Sequence, residues 1–162
     1  MKTQTTKARG AKVNRFDLSI RAAGKADAAA LARLMGELGY PTRTAEMEMR
    51  LDTILNAPEY RTFVAVSGRE VCGMIGTGCF YTHEHNSPSG RIIALVVSEA
   101  MRGRGVGREL IRAAEADFVA RNITRIALNT RFERKDAHQF YERLGYTKNG
   151  FRLVKNLEGL AD

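Results

Sequence analysis

Residues 92–121 constrain the fold of this chain more than any other stretch of its 162 residues. They begin with an unbroken apolar run from Ile92 to Val97, which is typical of a strand covered on both faces. A basic turn rich in glycine follows. Beyond it, four apolar residues recur at the spacing of one helical face: Leu110, Ile111, Ala114 and Phe118. The stretch therefore predicts a buried strand, a tight turn and an amphipathic helix in direct succession.

The turn carries the spacing R-x-x-G-x-G, formed by Arg102, Gly105 and Gly107. Backbone N–H groups of a first helical turn lack helical partners, and the helix dipole favours negative charge beside them. The dinucleotide-binding pattern G-x-G-x-x-G fails at Arg108, and the lysine followed by serine or threonine of a nucleotide P-loop is missing. Two interpretations of the spacing remain open: a phosphate site at the helix N-terminus, or glycines that only permit a tight turn.

The formal charge of +8 is distributed unevenly along the chain. Residues 1–15 contain five basic side chains and no acidic one. We expect residues 1–14 to form a basic flexible tail ahead of a single domain over residues 15–158. A nucleic-acid-binding arm is the functional alternative for this tail, but a solvated terminus explains it more simply. No nucleic-acid partner is therefore expected.

The lengths of the apolar runs and the positions of the cysteines predict the cellular compartment of the protein. No apolar run approaches the roughly 18 residues of a membrane span, and no apolar segment follows the N-terminal lysines as in a secretory signal. Cys72 and Cys79 lie on one predicted strand about 23 Å apart, which is too far for a disulfide. Because free thiols are typical of a reducing compartment, we expect a cytoplasmic protein with no membrane partner.

Apolar periodicity predicts a mixed α/β sheet with helices on its faces. In chain order, the predicted elements are a strand from Phe16 to Ile20, helices over 28–38 and 44–56, a hairpin of strands 63–66 and 71–82, the strand 92–97, the helix after the glycine turn, a strand over 125–129, a helix over 136–144 and a last strand over 151–156. Asp27 is the expected N-cap of the first helix. Gly73, Gly76 and Gly78 indicate a bulge or a close backbone contact in the long hairpin strand.

A second motif lies about 30 residues beyond the glycine turn. Residues 137–146 read A-H-x-F-Y-E-x-L-G-Y. Together with R-x-x-G-x-G, and in this order, the segment resembles the GNAT superfamily of N-acetyltransferases over roughly residues 16–156. The resemblance implies the single-domain acyl-CoA N-acyltransferase fold: a mixed, mostly antiparallel sheet with splayed central parallel strands and helices on both faces.

The resemblance also implies the residues that hold acetyl-CoA. The cofactor would lie in a V-shaped opening between the strands ending at Val97 and Asn129. Strand backbone would pair with the pantetheine amides, the glycine turn would wrap the pyrophosphate, and Asn129 and Tyr141 would lie beside the pantetheine arm and the sulfur. The implied set is Leu95, Val96, Val97, Arg102, Gly103, Arg104, Gly105, Val106, Gly107, Arg108, Asn129 and Tyr141.

Tyr141 is the expected general acid, which would protonate the departing thiolate. A phenol with a pKa near 10 gives its proton to a thiolate of pKa near 8.5 at a cost of about 2 kcal/mol. The alternative for Tyr141 is an aromatic side chain that only packs beside Phe140. No carboxylate occupies residues 91–94, where many family members place a glutamate, so the base is open between Glu37, His83, Glu84 and His85. No metal site is expected from the two histidines, and His138 is expected to make a structural hydrogen bond.

The expected reaction is acetyl transfer from acetyl-CoA to a primary amine by direct attack on the thioester. Within the superfamily, the chain looks most like small-molecule acetylases such as the aminoalkylphosphonate and aminoglycoside N-acetyltransferases. Acetylation of a protein N-terminus or lysine is the alternative acceptor. A non-catalytic acyl-CoA-binding module, whose basic tail contacts nucleic acid, is the alternative from another class. A homodimer is a further expectation.

Overall fold

The structure is a computed structural model that describes residues 17–157. The predicted basic tail over 1–14, and residues 15, 16 and 158 of the predicted domain, lie outside the described residues. The strands are β1 (Leu18–Ala22), β2 (Tyr60–Ser67), β3 (Glu70–Phe80), β4 (Ser89–Val97) and β5 (Ile126–Leu128). The helices are α1 (Ala28–Leu38), α2 (Thr44–Asn56), α3 (Val106–Ala120) and α4 (Lys135–Arg143).

The five strands form one sheet in the order β1-β2-β3-β4-β5. The first four strands pair antiparallel, and β5 joins β4 in parallel. This arrangement confirms the mixed, mostly antiparallel sheet. The parallel pair follows from the connection, because the chain crosses over through α3 between β4 and β5 and re-enters the sheet in the same direction.

Helices cover both faces of the sheet, as expected. On one face, α1 and α2 bury Leu31, Leu34 and Leu51 against Val64, Met74 and Val96 of the sheet. On the other face, α3 buries Val106, Leu110, Ile111 and Ala114 against Ala65, Cys72, Ile75 and Ile92. Phe118, in the last turns of α3, is fully buried. Both cysteines are free, as predicted.

Asp27 occupies the N-cap position of α1, as predicted, but its side chain makes no capping hydrogen bond to that helix. A 3-10 turn over Lys25–Asp27 precedes the helix, and the Asp27 carboxylate accepts the Gly24 N–H at 2.8 Å within that turn. The same carboxylate receives two hydrogen bonds of 2.8 Å from the Arg21 guanidinium. Asp27 therefore joins the end of β1 to the turn before α1.

Two predictions are wrong. Residues 151–157 form no regular element, and Phe151, Leu153 and Val154 are exposed, so the predicted last strand is absent there. Alternating apolar residues form a strand only where a sheet edge pairs with them, and local periodicity does not supply that partner. The strand β4 is not covered on both faces throughout, since Ile93 is 57% exposed.

Candidate active site

The strands β4 and β5 part after a short paired segment. Their register joins Gly90 to Ile126, Arg91 to Ala127 and Ile92 to Leu128, where β5 ends. The strand β4 continues for five more residues to Val97. Residues 93–97 therefore have no strand partner on their β5 side, and backbone groups on that edge are open to a ligand with amide groups.

A bulge in β4 lies where the two strands part. Gly76 of β3 is opposite Ala94, and the next residue, Thr77, is opposite Ile92, so Ile93 is the extra residue. An added residue bends the strand and increases its local twist. The glycines of β3 predicted a bulge in β3 itself, and the pairing with β2 has one at Cys72, where Val66 lies opposite Val71 and Ala65 opposite Gly73. The bulge at Ile93 is in β4, and only the register shows it. The exposed side chain of Ile93 follows from this position.

The glycine turn after β4 has the backbone geometry that its sequence predicted. Gly103 and Gly105 adopt φ angles of +74° and +87°, which side chains with a Cβ rarely adopt. The first α-helical hydrogen bond of α3 runs from the Glu109 N–H to the Gly105 carbonyl at 3.1 Å. The N–H groups of Val106 and Gly107 precede that bond and are those that a helix N-terminus offers to an anion.

Gly107 is also the residue of α3 on which Phe140 of α4 packs. A Cβ at Gly107 would lie 3.3 Å from the Phe140 ring and 3.7 Å from Val97. The absence of a side chain lets Phe140 pack onto the first turn of α3, and Phe140 immediately precedes Tyr141. This packing brings the second sequence motif to the glycine turn.

The Arg102 side chain contacts both the end of β4 and Glu37 of α1. Its Nε donates to the Val97 carbonyl at 3.1 Å, and a guanidinium nitrogen lies 3.8 Å from the Glu37 carboxylate. Its backbone N–H donates to the Glu99 carbonyl at 3.3 Å. The side chain of the first motif residue therefore holds the end of β4 to the turn instead of extending along α3.

The four base candidates are divided between the two ends of β4. The Glu37 carboxylate accepts the Glu99 N–H at 2.8 Å, which places it at the C-terminal end of the strand. His83, Glu84 and His85 lie in the exposed loop before Ser89, at the N-terminal end. Eight residue steps along β4 span about 26 Å. The fold therefore separates two groups of candidates that the sequence could not rank.

The loop before β4 borders a cleft of its own. The cleft has a volume of about 240 Å³ and is lined by Phe80, Thr82, Glu84, His85, Ser89, Gly90, Arg125 and Ala127. The Arg125 guanidinium lies against Nε2 of His85. Within residues 17–157, no group of three or more metal-ligating side chains forms a metal site.

Tyr141 is partly buried in the cluster that α3 and α4 form on the sheet. Its ring makes edge contacts with Phe140 and Tyr146, at centroid separations of 5.1 and 5.7 Å. Burial raises the pKa of the Tyr141 phenol, and the positive charge of Arg134 opposes that rise. The phenol is therefore protonated at neutral pH and can donate a proton.

Tyr146 has its own polar partner beside Tyr141. Its hydroxyl donates to Glu115 of α3 at 2.9 Å. Burial, and then that hydrogen bond, raise the pKa of Tyr146 well above its ordinary value. This hydrogen bond ties the end of α4 to α3, so Tyr141 lies in a segment fixed at both Phe140 and Tyr146.

The loop between β5 and α4 contains Asn129, which is expected beside the pantetheine arm, and Arg131, which sequence reasoning did not assign. Asn129 directly follows β5 and is exposed. Two residues later, Arg131 donates to the Tyr40 hydroxyl at 3.3 Å, and its guanidinium lies 5.9 Å from the Tyr40 ring centroid. His138 Nε2 donates to the Arg131 carbonyl at 3.0 Å, which is the structural hydrogen bond expected of that histidine. No local pattern relates Tyr40 to Arg131, since 91 residues separate them.

Comparisons with known proteins agree with this architecture. The model of the acetyltransferase (GNAT) family matches residues 28–146. An aminoalkylphosphonate N-acetyltransferase of Salmonella typhimurium strain LT2 is 35% identical over 100 residues, which are 62% of this chain and 65% of that protein. The chain therefore matches just under two thirds of the length of this relative.

Solved structures share the whole fold. A GNAT family acetyltransferase of Staphylococcus aureus is 26% identical, with a TM-score of 0.75 over 86% of this chain and 98% of its own. An aminoglycoside N-acetyltransferase in complex with CoA is 19% identical, with a TM-score of 0.78 over 93% of this chain and 98% of its own. The second likeness shows the fold alone. With the family match over most of the chain, the splayed strands and the glycine turn, these findings show that the chain belongs to the GNAT family of acetyltransferases.

Proposed function

We propose that this protein transfers an acetyl group from acetyl-CoA to a primary amine of a small molecule. One observation carries the proposal: β4 and β5 part beside a glycine turn that opens α3, and a partly buried tyrosine lies on the helix packed against that turn. An opening between strands and a helix N-terminus that binds anions suit the binding of acetyl-CoA, and a proton donor suits the protonation of the leaving thiolate.

The residues present fit acetyl-CoA. The backbone of Leu95 and the N–H of Val97 lie on the part of β4 that β5 does not pair, while the Val97 carbonyl accepts from Arg102. These strand groups suit the amides of a pantetheine arm. Beyond Val97, Gly103 and Gly105 leave space where a side chain would begin, since nothing lies within 4 Å of a Cβ at either position. Arg104 and Arg108 add positive charge beside the turn. Together these features suit a chain-like ligand that ends in a pyrophosphate.

In the proposed reaction, the neutral amine nitrogen attacks the thioester carbonyl. The carbon–sulfur bond breaks, an amide forms, and the sulfur leaves as a thiolate that takes the Tyr141 proton. The attacking nitrogen releases one proton to solvent, and solvent returns a proton to the Tyr141 phenolate before the next turnover. Burial raises the pKa of the phenol, but it also raises the pKa of a thiol formed in the same surroundings. The free-energy cost of the proton transfer therefore stays close to the value for the free groups, about 2 kcal/mol.

The amine must lose a proton before it attacks. At pH 7, an alkylammonium of pKa 10.4 is neutral about once in 2,500 molecules, which costs about 4.6 kcal/mol. Glu37 is hydrogen-bonded to Glu99, and among the described residues no hydrogen bond or ion pair joins His83, Glu84 or His85 to Tyr141. We propose that the enzyme selects the neutral fraction of the amine from solvent. The rate should then rise about tenfold per pH unit between pH 7 and 9.

A small-molecule acceptor is supported by the relative from Salmonella, whose printed name specifies an aminoalkylphosphonate. The experiment is an acetyl-transfer assay that detects free CoA, with aminoalkylphosphonates, aminoglycosides, simple alkylamines and a lysine peptide as acceptors. Acetylation of a small amine is expected. Transfer to the peptide alone would instead favour the protein-acetylating alternative, and no release of CoA with any amine would favour the non-catalytic module.

Tyr141→Phe tests the proton donor in the same assay. Loss of a general acid should lower kcat by about 100-fold or more while the KM for acetyl-CoA changes little. Tyr146→Phe is the matched control, because it removes a neighbouring phenol and its hydrogen bond to Glu115 but keeps the ring that contacts Tyr141. A loss of positioning alone should therefore lower kcat far less than the loss of the proton donor. An undiminished kcat in Tyr141→Phe would refute the assignment of the acid.

The proposal extends to compartment and assembly. Within residues 17–157, no helix is long and apolar enough to cross a membrane. The free thiols of Cys72 and Cys79 support a reducing compartment, which we propose is the cytoplasm. A homodimer remains a prediction, which sedimentation of the purified protein would test.

A further inference from the structure

The contact between Tyr40 and Arg131 crosses the opening between β4 and β5. The helix α1 ends beside the C-terminal end of β4, because Glu37 accepts the N–H of Glu99 there. Tyr40 follows two residues after α1, and it reaches Arg131 three residues beyond the end of β5. The loop after α1 therefore runs from the end of one splayed strand to the end of the other.

Arg131 is held in place at both its backbone and its side chain. Its carbonyl accepts from His138 of α4 at 3.0 Å, while its guanidinium donates to the Tyr40 hydroxyl at 3.3 Å and lies over the Tyr40 ring. A cation over an aromatic face is attracted to it, and the hydrogen bond to the Tyr40 hydroxyl orients the guanidinium. Tyr40 is 49% exposed, so the pair is accessible to a solute.

The charge of Arg131 has no acidic partner among the described residues. Arg33 and Arg102 both lie within 4.0 Å of Glu37. Arg43, in the loop that also carries Tyr40, pairs with Glu46 of α2. No carboxylate of residues 17–157 forms an ion pair with Arg131. A guanidinium has five N–H donors, so a hydrogen bond to one phenol leaves donors for an anion.

We propose that Arg131 binds an anionic group of the acceptor, so that the preferred substrate is a small primary amine carrying a phosphonate, phosphate or carboxylate. The inference rests on the proposed function and specifies its substrate class. The planar fork of an arginine suits two oxygens of such a group. Tyr40 positions the guanidinium, and the amine at the other end of the acceptor reaches into the splay. Arg131 is thus a binding residue that determines specificity, with no part in proton transfer.

The test compares two acceptors of equal chain length, 3-aminopropylphosphonate and 3-amino-1-propanol. In the wild-type enzyme, kcat/KM should favour the phosphonate. Arg131→Gln should raise the KM for the phosphonate about 10- to 100-fold, as expected for a lost charge-assisted hydrogen bond. The KM values for the amino alcohol and for acetyl-CoA should change less than about twofold, and Arg131→Lys should recover part of the phosphonate preference.

Two further variants make the comparison specific. Arg43→Gln is the matched control, since it removes an equal charge from the same region but from an arginine already paired with Glu46. It should leave the phosphonate KM within about twofold of the wild-type value, because screened surface charge contributes little. Tyr40→Phe keeps the ring and removes the hydroxyl, and it should raise the phosphonate KM by about threefold.

The outcomes separate the inference from the function on which it rests. If the wild-type enzyme acetylates both amines equally well, or if Arg131→Gln weakens both alike, the assignment of Arg131 is wrong while the acetyltransferase function stands. If no amine releases CoA, the proposed function fails, and the specificity assignment fails with it.

Discussion

The Glu37 carboxylate accepts a hydrogen bond of 2.8 Å from the backbone N–H of Glu99, which lies 62 residues further along the chain. This bond joins the last turn of α1 to the 3-10 turn that follows β4. Arg33 and Arg102 lie 3.5 and 3.8 Å from the same carboxylate. One acidic side chain thus holds the segment that leads from the splayed strand into the glycine turn.

We expect Glu37 to act as this tether and not as the general base. Glu37→Gln keeps an oxygen acceptor for Glu99, so kcat should stay within about threefold of the wild-type value. Glu37→Ala removes the acceptor and should raise the KM for acetyl-CoA several-fold, with a loss of about 1 kcal/mol in the free energy of unfolding. Steady-state kinetics and urea denaturation measure both effects. A fall in kcat of about 100-fold in both variants would identify Glu37 as the base instead.

Gly107→Ala should lower the acetyl-transfer activity while leaving the free energy of unfolding nearly unchanged. Alanine is favoured over glycine in a helix by up to about 1 kcal/mol, but its Cβ at this position would meet the Phe140 ring at 3.3 Å. The ring must move by a few tenths of an ångström, and Tyr141 moves with it. We expect little change in the free energy of unfolding and a loss of about tenfold in kcat/KM for acetyl-CoA.

The control for this substitution is Gly36→Ala in α1. Nothing lies within 4 Å of a Cβ at Gly36, so the substitution should stabilise the protein by about 0.5–1 kcal/mol and leave the kinetics unchanged. If both variants retain full activity, the contact between Gly107 and Phe140 does not position the proton donor.

The stabilisation of the fold by Asp27 should be lost at acidic pH. The hydrogen bonds from Arg21, and then the N–H of Gly24, hold the pKa of its carboxyl below the ordinary value of 3.8. The folded state binds the proton of the Asp27 carboxyl less tightly than the unfolded state. The contribution of Asp27 to the free energy of unfolding is therefore complete above about pH 4. It is lost as the pH falls through the lower, folded pKa. Asp27→Asn should therefore cost about 1–2 kcal/mol at pH 7, and the difference from wild type should shrink below pH 4.

Urea denaturation at pH 7, 5, 4 and 3 measures this dependence. Asp52→Asn is the control, since Asp52 pairs with Lys25 at the surface and its side chain is 58% exposed. Its substitution should change the free energy of unfolding by less than about 0.5 kcal/mol at any pH. An Asp27→Asn variant whose cost is the same at pH 7 and pH 3 would show that the carboxylate charge does not contribute.

Several elements were predictable because their signals are local. The helices over Ala28–Leu38 and Thr44–Asn56 have the predicted bounds, since the apolar spacing lies within each helix and the stops at Gly39 and Pro58 follow within two residues. The glycine turn and the start of α3 also follow from neighbouring residues. The family resemblance came from two short motifs, and the family match confirms it.

The register and the long-range contacts were beyond the reach of local patterns. Residues 151–157 have the alternation of a strand, yet a strand needs a partner edge that the alternation does not specify. The bulge at Ile93 depends on how β3 pairs with β4. The positions of Glu37 and His85 at opposite ends of β4 depend on where α1 and the preceding loop meet the sheet.

The sequence by itself determined most of the elements and the glycine turn, because those follow from periodicity and spacing within a few tens of residues. Its two motifs carried the resemblance to the family. Only the tertiary structure decided which side chains meet across the splay. Tyr40 contacts Arg131, and Glu37 binds Glu99, because packing on the sheet brings distant segments together. Such contacts depend on the register of the strands and the docking of the helices, and no stretch of the chain encodes either of these alone.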